Sequence, residues 1–132
     1  MLADELREAN DEARAELAAV IDAEVARAVG RTVLQVEGRL RGLVSGARLA
    51  TSHYDTYPQV MTDEWVPDWV GSNRHADAAM ERARSLFSDR LRSALESRGL
   101  KVVGGVLTVR RCGDGGVQEV DARVEVSWGA GS

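Results

Sequence analysis

From Leu2 to Ala28 an apolar residue returns every three or four positions: Leu2, Leu6, Ala9, Ala13, Leu17, Val20, Ile21, Val25 and Ala28. Side chains at that spacing fall on one stripe of an α-helix, so the chain is predicted to open with a long amphipathic helix over 2–29. Asp4, Glu5 and Glu8 lie in its opening turns, where the positive end of the helix dipole favours carboxylates. Gly30 is the expected stop, in the left-handed position that ends many helices.

Residues 31–50 satisfy two templates. As helix, Val29, Val33, Val36, Leu40, Leu43 and Ala47 continue the stripe, and Gly38, Gly42 and Gly46 share a face that would permit close helix contact. As strand, Leu34, Val36, Leu40 and Val44 alternate with Gln35, Glu37, Arg39 and Arg41. Three glycines at about 1 kcal/mol each, together with Thr32, Val33 and Val36, weigh against helix. A turn at Glu37-Gly38 would reverse a short hairpin. The expectation is extended structure over 31–44.

A second helix is expected from a cap at Ser72 or Asn73 to Arg98, burying Ala76, Ala79, Met80, Ala83, Phe87, Leu91, Ala94 and Leu95. Gly99 ends it, and Leu100 can fold back on Leu95. Arg92 and Glu96, four apart, would add a surface pair. The last third reads as a β-hairpin. Val102 to Arg110 alternates, Gly113-Asp114-Gly115-Gly116 supplies the reversal, and Val120, Ala122, Val124, Val126 and Trp128 face inward on the return strand. Gly129 to Ser132 read as a short tail. A lone hairpin is marginal in water, so a third strand is expected from 31–44 unless helices or a neighbouring subunit support it. The predicted architecture is one α+β domain over 1–132, with two amphipathic helices on a small antiparallel sheet. A long helical hairpin followed by the β-hairpin is the alternative.

Between the helices lies the most distinctive segment. Thr51 to Trp69 carries four of the six aromatic residues, Tyr54, Tyr57, Trp65 and Trp69, with Asp55, Asp63, Glu64 and Asp68 and no Lys or Arg. Residues 51–71 are expected to form an acidic aromatic loop. Trp and Tyr are frequent interface anchors, so Tyr54, Tyr57, Trp65, Trp69, Asp63 and Glu64 are the candidate interaction residues. The rival reading folds one or both tryptophans back as a lid on the core.

A chain of 132 residues can bury one core without metals or disulfides. No apolar run approaches the roughly 18 residues of a membrane span. The acidic N-terminus does not resemble a secretory signal, and the lone Cys112 fits a reducing compartment, so a cytoplasmic setting is expected. The net charge of −4 resolves into blocks of −6 over 1–24, +4 over 25–50, −4 over 51–69, +3 over 70–101 and −1 over 102–132. Such blocks suit pairing within or between chains better than an all-over basic field for nucleic acid.

Signals for chemistry are weak. His53-Tyr54-Asp55 and His75-Ala76-Asp77 could contribute to a divalent-metal site with Asp63, Glu64 and Asp68. Residues two apart on a helix diverge by about 200°, so His75 and Asp77 cannot both ligate one ion from regular helix. Cys112 has arginine beside it but no histidine near in sequence to act as base. Neither Gly104-Gly105 nor Gly113–Gly116 leads into a helix carrying Lys and Ser/Thr, as a phosphate cradle requires. No catalytic residue, metal or cofactor is therefore expected. The sequence favours a non-enzymatic subunit that assembles with itself or another protein, a virion-like particle being one setting. The alternatives are a small metal-dependent enzyme or ligand binder using the His/Asp-containing loop, and a nucleic-acid-associated regulator using the arginines.

Overall fold

The computed structural model describes residues 1–45, 53–71, 73–112 and 118–128. Helix α1 spans Leu2–Ser45 and helix α2 spans Asn73–Glu96. Strands β1 (His53–Thr56), β2 (Gln59–Thr62), β3 (Lys101–Val102), β4 (Leu107–Cys112) and β5 (Gln118–Ser127) form one antiparallel sheet. The fold is α+β.

Every strand pairs with β5, and the registers show why. His53 lies opposite Ser127, Thr56 opposite Val124 and Gln59 opposite Asp121, so β1 and β2 run as one line along one side of β5. Pro58 lacks an N–H, yet its carbonyl accepts from Ala122 N–H at 3.0 Å and carries the ladder across the break. On the other side Lys101 also faces Ser127, and Leu107 faces Arg123. Two extra residues enter this line between Val102 and Leu107, where Gly104 and Gly105 take φ of 71° and 86°. A Cβ on Gly105 would stand 2.7 Å from Arg92 Nη2. The sheet is thus three lines wide with β5 at its centre. Each helix is followed by one flanking line.

Residues 31–44, expected as strand, are helix. Val33 and Val36 continue the stripe into the core at 5% and 0% exposure, and the buried Thr32 hydroxyl donates to Ala28 O at 2.8 Å within the helix. Burying a valine yields roughly 1.5–3 kcal/mol, more than the 1 kcal/mol or so that a helical glycine forfeits. Gly30 does not stop the helix. Gly30, Gly38 and Gly42 all face open space rather than a close helix contact. The expected third strand is supplied instead by β1 and β2, so the acidic aromatic segment is strand over 53–56 and 59–62 and irregular only afterwards. Thr51 and Ser52, Gly46 and Ala47, the Ser72 cap, the Gly113–Gly116 turn and the Gly129–Ser132 tail lie outside the described residues.

The second helix follows its pattern. Ala79, Met80, Ala83, Phe87, Leu91 and Leu95 are buried, with Ala76 and Ala94 partly so. Its end is a glycine-capped turn: Leu100 N–H donates to Leu95 O at 3.2 Å, Gly99 N–H to Glu96 O at 3.0 Å, and Gly99 has φ 81°. Leu100 packs against the core as expected. Ion pairs join Asp22 to Arg90 and Glu37 to Arg98, so contacts advance in the same direction along both helices and they run parallel. Together they cover the inner sheet face, where Val120, Ala122, Val124 and Val126 are buried. The outer face carries Arg123, Asp55 and Glu125, along with Leu107 and Val109 at 60% and 47% exposure.

Candidate functional site

The stripe on α1 does two different things along its length. From Ile21 onward it packs against α2 and the sheet, with Ile21, Val25 and Ala28 buried. Before Leu17 it has no such cover. Residues 1–12 and 14–16 are exposed and Ala13 is half-buried, leaving Leu2 at 70% and Leu6 at 61% exposure. The first sixteen residues therefore form an arm of helix about 22 Å long, which meets the body only where Asn10, Ala13 and Arg14 border a groove at its base. A helix of this length is marginal in water without packing.

At the base of the arm is a groove of about 510 Å³. Leu17 and Ile21 form one wall, Ala78 and Ala79 of α2 the other, and Trp69 and Val70 close it from the 3-10 turn Asp68–Val70. Asn10, Arg14, His75 and Arg82 supply its polar lining, which contains no carboxylate. Pro67, extended at ψ 143°, and Gly71, with φ 93°, bracket the turn that presents Trp69.

The six candidate interaction residues do not share one surface. Trp69 is 48% exposed and sits in this groove. Tyr57 is 65% exposed and donates to Asp55 Oδ2 at 3.4 Å on the outer sheet face. Tyr54 and Trp65 are half-buried against the core, and the buried Trp65 Nε1 has no hydrogen-bond partner among the described residues. Asp63 is half-buried and Glu64 exposed, its N–H donating to Thr62 Oγ1 at 3.4 Å. The residue pattern of the arm is the same as that of the packed half, so spacing alone does not separate the two.

Electrostatics on the outer sheet face centre on Arg123. It reaches Asp55 Oδ2 at 3.2 Å and Glu125 Oε2 at 4.0 Å, screening two carboxylates that sit opposite one another in the ladder. The hydrogen bond and then the charge of Asp55 raise the guanidinium pKa above its ordinary value. Deeper in, Glu24 lies between Arg27 at 2.7 Å and Arg31 at 3.9 Å, and Arg31 also donates to Val60 O at 3.1 Å. These contacts tie α1 to β2.

His53 is exposed at the start of β1 and His75 is exposed near the start of α2. Among the described residues, no three His, Cys, Asp or Glu side chains gather as a metal shell. No described helix is long and apolar enough to cross a membrane. Comparison with protein families, curated proteins and solved structures returns no match.

Proposed function

We propose that this chain is a non-enzymatic interaction subunit of a larger homo- or hetero-oligomeric assembly, with the α1 arm and the Trp69 groove as its contact surface. The observation that carries the reading is the arm itself: four turns of amphipathic helix whose apolar stripe faces solvent. Monomeric proteins rarely leave contiguous apolar surface of this kind uncovered, and helix-in-groove recognition uses the same spacing of anchors. The tryptophan at the arm's base is the residue type most enriched among binding hot spots.

Sedimentation velocity on the wild type, Leu6→Asp and Trp69→Ala, beside a thermal-shift screen against divalent metals, sugars and nucleotides, tests the reading. The expected result is association, with itself or a co-purified partner, that both substitutions weaken while the protein stays folded. A metal- or ligand-dependent shift lost in His53→Ala or His75→Ala, with no association, would replace this reading by the enzyme or ligand-binding one.

A further inference from the structure

Arg14 and Arg82 reach the Trp69 groove from its two helix walls, and Asn10 and His75 add further hydrogen-bonding groups beside them. Four other arginines of the helix pair are engaged by carboxylates: Arg27 by Glu24, Arg84 by Glu81, Arg90 by Asp22 and Arg98 by Glu37. Among the described residues no ion pair engages Arg14 or Arg82. The acids close by do not change this. Glu81 is held by Arg84 at 2.7 Å, and Asp11, one turn before Arg14, lies outside the lining. Asp77 leaves α2 about 200° round from His75. The first turn of α2 carries Arg74 and His75 and no acid.

The rest of the lining is apolar, and Trp69 offers its ring at 48% exposure. Apolar clefts of roughly 300–1,000 Å³ with a few convergent polar groups are the usual form of small-molecule sites, and this one holds about 510 Å³. Two uncompensated guanidiniums in a chain of net charge −4 set the sign of what fits. A guanidinium grips a carboxylate through two parallel N–H···O bonds, and an aromatic body can stack on the indole.

We propose that the Trp69 groove binds a small organic anion, an aromatic body ending in a carboxylate. Arg14 and Arg82 hold the carboxylate, and Trp69, Leu17 and Ile21 cover the body. This goes beyond the assembly reading and stands without it. An acidic protein segment fits less well. Residues 1–16 carry six acids and two bases, net −4, so a long acidic partner lying beside the arm meets like charge along its length. A compact anion responds chiefly to the donors within reach, because charges beyond about 8 Å are screened at physiological ionic strength.

The test uses 1-naphthylacetate and its neutral amide, two probes with the same ring system and a charge on only one. Calorimetric titration of the full chain should give one site for the acid, with a dissociation constant at or below about 1 mM. The amide should bind at least about tenfold more weakly, and so should acetate, which lacks the body. Arg14→Gln with Arg82→Gln should weaken the acid by about tenfold or more and leave the amide unchanged, while Trp69→Ala should weaken both. All three side chains are exposed or half-exposed, and circular dichroism should match the wild type. Amide NMR shifts on adding the acid should centre on Val70, Ala78 and Ala79. Equal affinity for acid and amide would make the groove a plain apolar contact and overturn the proposal. Unchanged acid binding in the double arginine variant, shifts centred elsewhere, or no binding of the acid at millimolar concentration would overturn it as well. None of these readouts depends on association, so sedimentation decides the assembly reading separately.

Discussion

Trp65 and Trp69 stand four positions apart and have opposite fates, which makes them the sharpest pair of single-residue tests. Trp65 packs on the core, so Trp65→Ala should lower unfolding stability by about 2 kcal/mol or more, read as a shift in the urea midpoint. Trp69 lines a surface groove, so Trp69→Ala should move stability by less than about 0.5 kcal/mol while weakening association. Equal stability losses at both sites would mean that Trp69 is also a core lid. In the core itself Phe87 is fully buried among Met80, Leu91 and Val124, and Phe87→Ala should cost about 3–5 kcal/mol in the same measurement. Arg123 adds little pH dependence of its own. A base whose folded pKa is raised contributes stability that is complete below its unfolded pKa and is lost only as pH rises through the folded value. For an arginine that window lies far above neutrality, so Arg123→Gln should lower stability by a similar amount at pH 6 and pH 9.

At the scale of elements, the decisive feature is the uninterrupted passage of α1 through Gly30, Gly38 and Gly42. Gly30→Ala should raise stability by about 0.5–1 kcal/mol, since the site is helical and its Cβ direction is open. Gly99 is the contrast. At φ 81° an alanine is strained, and Gly99→Ala should lose about 1–2 kcal/mol. A destabilising Gly30→Ala would restore the helix stop that local sequence signals suggest.

Those signals misled for a physical reason. Glycine and β-branched residues set local propensity, but Val33 and Val36 gain more by burial on the shared stripe than the glycines lose. The spacing of apolar residues was legible where one face of an element is buried: α2, its Gly99 cap, and β5 with Val120 to Val126 inward. It was illegible where burial depends on distant partners. Nothing local distinguishes Leu6, which is exposed, from Ile21, which α2 and the sheet cover. For the same reason the aromatic cluster drew attention to Trp69 without revealing that Tyr54 and Trp65 turn inward.

At the scale of the whole molecule, charge is segregated along one helix, acidic in the arm and basic beyond residue 25. Association through the acidic arm should slow and weaken as salt rises, because surface charges are screened over about 8 Å at physiological ionic strength. Replacing Glu5, Glu8 and Glu12 by Gln should flatten that salt dependence and lower the association rate more than it raises the dissociation rate. Stopped-flow mixing at 50 and 500 mM salt would read both.

The most direct measurement is amide hydrogen exchange over residues 2–16 as a function of protein concentration. An arm that docks must gain protection as the assembly forms, while an arm that only projects into solvent must not. Fast exchange over 2–16 is expected in dilute protein and strong slowing at concentrations where the assembled species dominates, with Phe87 and Leu91 protected throughout. Exchange over 2–16 that is equally fast at every concentration and in every assembly of the chain would contradict it.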